Sequence, residues 1–391
     1  MTGWLIARAP GPGMAVLAFV IPFYPVQKAL RAGWLSFSEA LAGAAVAWAF
    51  WNQWRGEKRD VVQRTILDGA VGIFVLVGIA AAWIAPDHEA AWVALRRMVL
   101  APAALYRLWR LLPVDERTEV WAIGGVIVSS ALVSLIGLAD YALGDVVTAG
   151  VVSRLHSIYS SPNEIALLLV RTWPLAASLA LAYGGRRRWL AGAATGVMLL
   201  ALALTFSRGA WLLGVPVGAL VLAAHYRRRE AWIGGVAVVA LAGMVFLGRG
   251  DDLSLRPAVW QAAWGMWRDH LWLGVGLDGF QWFYPRYMTL SAWREPLLYH
   301  PHNVILEMGT GMGVLGLLAA AGIAWGWLRA WRRARRLGPS PIVIGLTAGL
   351  AAGMAHGMVD AGYFLPHLAM LTMLALGITV ADVWRAHPRG V

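Results

Sequence analysis

Apolar residues run through this chain in long blocks separated by short polar or arginine-bearing connections, without the alternation of a half-buried strand or the one-faced stripe of a soluble helix. Blocks of about 17–25 residues are what a helix needs to cross a bilayer. Twelve such spans are expected, at 12–26, 36–54, 67–85, 95–112, 120–138, 163–183, 189–206, 209–225, 231–248, 303–328, 341–359 and 364–384. Pro22 and Pro25 interrupt the first, and Arg96 and Arg97 sit near the outer end of the fourth. The pattern predicts an all-α polytopic membrane protein, a single membrane domain over 1–391, with a large loop at 249–302 before the tenth span. The connection at 139–162 is also too long for a simple turn.

Composition narrows the class. With 59% hydrophobic and 14% charged residues and a mean hydropathy of +0.62, the chain lies outside the range of soluble domains. The absence of cysteine excludes disulfides and thiolate metal sites. A net charge of +12 would suggest nucleic acid in a soluble protein, but here its distribution matters more. Arginines collect in alternate connections, at Arg186 to Arg188, Arg227 to Arg229, and Arg329, Arg332, Arg333, Arg335 and Arg336. Those connections are therefore expected in the cytoplasm, together with both termini, and the 249–302 loop on the opposite face. No nucleic-acid partner is expected. The prolines within 14–26 and the lack of an A-x-A site favour an uncleaved first span.

The departures from apolar helix cluster on that outer face. In "LYHPHNVILEMGTGMGVLGLL" (298–318), His300 and His302 flank Pro301, and Asn303 is a good N-cap for the span that follows. Gly309 and Gly313 form a GxxxG pair that would admit a close helix neighbour. "VSRLHSIYSSPNEIA" brings Arg154, His156 and Asn163 to the outer end of the sixth span, and "TFSRGAW" places Arg208 in a turn between two spans. Arg171 lies about 12 Å into its span, where a cation is costly and functional by default.

In the large loop, Trp260, Trp264 and Trp267 share one face of a short helix expected either to lie in the interface with its tryptophans down or to pack on the protein's own top; either way Arg256 and Arg268 are held near headgroup level. Arg286 and Arg294 follow in the same loop. Gly274-Val-Gly276-Leu-Asp-Gly279 matches a dinucleotide fingerprint in letters only, because no strand precedes it; a tight glycine turn is expected instead. Guanidinium groups suit phosphate oxygens and an imidazole suits general-base work. No carboxylate pair for glycoside hydrolysis and no H-E-x-x-H zinc motif is present in the sequence. A membrane-borne pyrophosphate fits that set of groups.

At "RLHSIYSSPNEIA", "SRGAW", the run from Arg256 through "HLWLGVGLDGF", and "HPHN" followed by "GMGVLGLL", the sequence resembles the O-antigen ligase and polymerase superfamily of bacterial envelope glycosyltransferases. These elements span 154–318, in the family's order. The resemblance implies transfer of a glycan from undecaprenyl pyrophosphate to an acceptor hydroxyl on the periplasmic face of the inner membrane, by inverting displacement and without metal, nucleotide or other cofactor. It implies that Arg208 and Arg256 bind the pyrophosphate and that His302 activates the acceptor oxygen. Arg154, His156, Asn163, Arg171, Arg286, Arg294, His300 and Asn303 are the further candidates for substrate contact. Lipid A-core is the preferred acceptor, which makes an O-antigen ligase; a growing glycan (polymerase) or a protein (O-oligosaccharyltransferase) stays open. From another class, a lipid-glycan flippase or transporter would also want cations facing a lipid phosphate.

Overall fold

The structure is a computed structural model that describes residues 10–29, 43, 64–111, 115–149, 152–226, 255–294 and 298–386. The expected spans at 36–54 and 231–248 lie outside them. The described residues are mostly helical, and six of the helices are long and apolar enough to cross a membrane. Three further apolar helices are shorter.

Helix α1 (Pro10–Val20) passes through a 3-10 turn at Ile21–Phe23 into α2 (Tyr24–Ala29), so the prolines of the first span change the helix type rather than end the helix. Helix α3 (Ile66–Ile84) opens on a capping box between Thr65 and Asp68. A short α4 (His88–Leu95) runs through a π-helical turn at Arg96–Leu100 into α5 (Ala101–Leu111). After α6 (Glu116–Ala142) come two three-residue strands, β1 (Val147–Ala149) and β2 (Val152–Arg154), paired antiparallel with Val147 opposite Arg154. This hairpin in the 139–162 connection is a small addition to the expected helical architecture. Strands so short carry no periodicity for a sequence to display.

Helices α7 (Pro162–Ala182) and α8 (Gly185–Leu204) follow, then a helix from Arg208 whose first turns are π-helical before α9 (Val215–Tyr226). The described part of the large loop forms α10 (Leu255–Asp269), α11 (Phe280–Tyr287) and a 3-10 turn at Leu290–Arg294. The chain ends in α12 (Val304–Leu337), α13 (Pro341–Gly357) and α14 (Pro366–Ala386). Helix α12 is two helical segments joined at a kink at Gly313, and its last part carries the arginines from Arg329 to Arg336.

Helix α7 is at the centre, packed against α13 and α8, while α12 packs against α3 and α14 against α5. One end of this bundle gathers the start of α7, the turn between α8 and α9, the start of α12 and the turn between α13 and α14. Cross-links there include Leu155 N–H donating to the Leu204 carbonyl at 2.9 Å and Tyr159 Oη donating to the Pro22 carbonyl at 2.5 Å.

The large loop is built into this end. Helix α10 turns its alanine, valine and methionine face inward (Ala258, Val259, Ala262, Ala263, Met266), and Trp264 remains exposed. The tryptophan stripe is therefore not the buried face. Of the three, Trp267 packs on Gly309, where a Cβ would lie 2.6 Å from its ring. The GxxxG pair thus admits the loop rather than another span. Gly313 has φ +65° and breaks α12, and a side chain there would strike the Trp272 carbonyl. The G-x-G-x-x-G segment is a tight turn, as its letters suggest: Gly274 and Gly276 have φ of +68° and +92°. Val275 N–H donates to Thr310 O on α12 at 2.7 Å, and Leu277 N–H to Ala81 O on α3 at 3.4 Å.

Candidate active site

His302 stands at the start of α12, at the end of the bundle where the four turns and helix mouths meet. Pro301 before it and Asn303 after it set its position. Asn303 caps α12 by accepting from Ile305 N–H and Leu306 N–H, both at 3.0 Å, and its amide donates to the Met358 carbonyl at 2.8 Å. That second bond ties the mouth of α12 to the turn after α13. His302 itself has φ +52°, in the left-handed region. Its Nδ1–H donates to Asp360 Oδ1 at 3.2 Å, with the carboxylate nearly buried and the imidazole partly exposed.

Asp360 was not foreseen. Burial alone would raise its carboxyl, but the hydrogen bond from His302, the neighbouring charges of His356 and His302 and the Ala361 N–H at 2.8 Å hold it well below the usual carboxylate range. The pair has the form of a base oriented by a carboxylate, which leaves Nε2 of the imidazole for a substrate proton. The signal for Asp360 was in "HGMVDAGYFLPH" (356–367), where an aspartate and two histidines punctuate the short connection between two spans.

His356, fully buried on α13, joins this pair to the arginines. Its Nε2 lies 3.4 Å from Ser207 Oγ, and a Cβ on Gly209 would fall 2.6 Å from its ring. Arg208, between Ser207 and Gly209, is thereby fixed beside the His356–Asp360 turn. Arg256, in the first turn of α10, is close enough for its charge to act on His356, as is Asp360. Ser207 and Gly209, on either side of Arg208, thus touch His356, whose near neighbour in the chain, Asp360, holds His302.

The remaining predicted residues are placed differently. Arg154 Nε donates to Thr205 O at 2.8 Å and its Nη2 to Asn163 Oδ1 at 2.9 Å, so these two residues clasp the hairpin, α7 and the turn after α8. Arg171 is buried and donates to the carbonyls of Leu167 (2.7 Å), Gly353 (3.5 Å) and Gly362. It bridges α7 to α13 and to the turn that carries Asp360. His156 sits between the Tyr159 carbonyl (2.9 Å) and Asp145 Oδ1 (3.3 Å). Arg286 is exposed on α11 with its guanidinium 5.5 Å from the Phe283 ring centroid, and Arg294 closes the 3-10 turn that follows.

His300 stacks edge-on against His302 with ring centroids 4.2 Å apart, and burial, then the charge of His302, lowers it to about 4 against a weak opposing pull from Asp360. It also lines a cavity of about 1040 Å³ between α4, the 156–164 segment, the 276–280 turn and the mouths of α12 and α14. A separate apolar groove of about 570 Å³ runs between α12, α13, α3 and α14. Among the described residues no three His, Asp or Glu side chains are grouped to hold a metal ion.

Residues 193–321 match the family model described as O-antigen ligase. The matched segment, about a third of the chain, includes Arg208, Arg256, His300, His302 and Asn303, and stops short of Asp360. The match agrees with the O-antigen ligase and polymerase superfamily read from the sequence motifs, and with it a membrane enzyme of glycosyltransferase type that acts on lipid-linked glycan and acceptor substrates. No curated protein matches the chain.

Proposed function

We propose that this protein transfers a glycan from undecaprenyl pyrophosphate to an acceptor hydroxyl on the periplasmic face of the inner membrane, as an O-antigen ligase with lipid A-core as acceptor. The observation that carries the reading is the hydrogen bond of His302 to Asp360, with His302, Arg208 and Arg256 all inside the segment that matches the ligase family. Nε2 of His302 takes the proton of the acceptor hydroxyl while its oxygen attacks the anomeric carbon. The bond from that carbon to the pyrophosphate oxygen breaks, and the electron pair leaves with the pyrophosphate. Asp360 stabilises the imidazolium that forms, and Arg208 and Arg256 stabilise the departing charge. Attack from the face opposite the leaving group inverts the anomeric centre.

Because the leaving-group charge rests on arginine, purified protein given undecaprenyl-pyrophosphate glycan and a lipid A-core acceptor should form product and release undecaprenyl pyrophosphate at an undiminished rate in excess EDTA. A strict requirement for a divalent cation would overturn the arginine mechanism. Movement of the intact donor across the bilayer without a new glycosidic bond would favour a flippase. Product formed only with a second donor repeat, or only with a serine-bearing protein, would move the chain to the polymerase or the protein-glycosylating branch.

A further inference from the structure

Resting on that reading, a second question is what the 1040 Å³ cavity beside His300 takes. Its lining carries four carboxylates open to the cavity, Asp87, Glu89, Glu164 and Asp278, against a single arginine, Arg97, whose guanidinium lies 5.9 Å from the Tyr24 ring centroid, with His156, His300 and His367 also in the wall and Glu307 Oε2 enclosed behind it. Neither Arg208 nor Arg256 is in the lining. A pyrophosphate would meet like charge there, and like-charge juxtaposition costs several kcal/mol. The cavity is therefore a poor place for the donor's phosphates.

It is well furnished for hydroxyl groups. Carboxylates accept O–H hydrogen bonds, and Tyr299, exposed at the rim, offers a face for a sugar ring. The deeper polar atoms lack protein partners. His367 is 2% exposed, lines the cavity, and neither of its ring nitrogens has a hydrogen-bond partner among the described residues. The same is true of His300 Nδ1 and Glu307 Oε2, both enclosed and both in lining residues. Buried polar groups are normally satisfied, so a wall with three such residues is built for a polar guest. The volume is at the top of the range of roughly 300–1,000 Å³ for small-ligand sites, which suits the end of an oligosaccharide better than a single sugar. His300, which lines this cavity and stacks on His302, places the guest's end next to the base.

We infer that this cavity binds the acceptor glycan, and that its carboxylates select an acceptor end that is uncharged or amine-bearing over one carrying phosphate.

The test measures binding and transfer separately. A neutral trisaccharide and the same trisaccharide phosphorylated on its terminal sugar are titrated into purified full-length protein without donor, by calorimetry or tryptophan fluorescence. The neutral probe should bind at least roughly tenfold more tightly, a difference of about 1.4 kcal/mol. The double variant Glu89→Gln with Asp278→Asn should lose most of that discrimination. Glu89 is exposed, and asparagine tolerates the left-handed backbone of Asp278 (φ +57°), so the fold should survive; a melting curve checks this. Equal affinity for both probes, no binding of either, or discrimination that persists in the double variant would overturn the inference. Binding as expected but no glycan transfer to a lipid carrying that trisaccharide would leave the cavity assignment standing and count against the proposed reaction instead.

Discussion

Two regions near His302 differ in their charge: one holds Arg208, beside the contact of Ser207 with His356, and the other is the cavity that His300 lines, with four carboxylates and one arginine in its wall. His302, held by Asp360, is the boundary between them in the proposed reaction. In the proposed reaction the two sides have opposite requirements. A departing pyrophosphate gathers negative charge and needs cations fixed before the bond breaks. An attacking hydroxyl needs acceptors for its neighbouring O–H groups and a base for its own proton. Segregating the charges keeps the donor's phosphates out of the acceptor's place, and the two substrates can meet only where the base is.

The most severe way to break this arrangement is to remove the base. His302→Ala should cost about 10²–10⁴ in transfer rate, with expression and binding of the donor unchanged. His300→Ala should be milder, because His300 lines the cavity without holding Asp360. Near-wild-type turnover in both variants would remove His302 from the boundary altogether.

The arginine side is sharpened by a conservative change. Arg208→Lys should lose roughly 10²–10³ in rate, nearly as much as Arg208→Ala, if phosphate is gripped at two points by a planar fork. Recovery with lysine would reduce the contact to simple charge. Arg333→Ala, at the far end of α12, is the control and should leave turnover unaffected.

Asp360→Asn should be weaker than loss of the histidine, about tenfold to a hundredfold, since the ring is kept and only its orientation and charge support are lost. As a positioning residue, Asp360 should show its effect in kcat with KM for both substrates little changed, and Asp360→Glu should recover part of it. A loss confined to KM would place Asp360 in substrate binding.

The smallest effect is on stability. An unfolded chain protonates the ring at position 300 near 6.5, whereas in the fold burial and the neighbouring imidazole lower it to about 4. Between those values the unfolded state binds the extra proton, so stability should fall as pH drops through that window. His300→Asn should flatten the dependence, as read by the melting temperature in detergent at pH 7 and pH 5. An identical slope in the variant would assign the pH response to other groups.

How much of this was legible in the sequence depends on the distance over which each feature is decided. Asn303 could be read as a helix cap because capping is settled within three residues. The left-handed turn at Gly274 and Gly276 was legible for the same reason. The base was visible as a histidine in "HPHN", but its partner is 58 residues further on, and nothing local says that the turn after α13 folds back over the start of α12. Arg171 shows the reverse case. A cation in a span reads as functional, and the sequence gives no sign that three of its five N–H donors go to backbone carbonyls, two of them more than 180 residues away. Those contacts need Gly353, where a Cβ would fall 2.7 Å from the guanidinium. The GxxxG pair was legible in part: Gly309 does admit a helix, through Trp267 of α10, but the pattern does not say that this helix belongs to the large loop or that Gly313 meets the turn at Trp272.

The backbone at His302 has one further implication, for anyone who engineers this protein. A left-handed φ at a residue that carries a Cβ is held at a cost, and glycine would sit there more comfortably. Selection for heat resistance or expression yield alone would therefore reward replacement of the one side chain proposed to take the acceptor's proton. A library screened for robustness should fix position 302 in advance, or its best-behaved members will be inert.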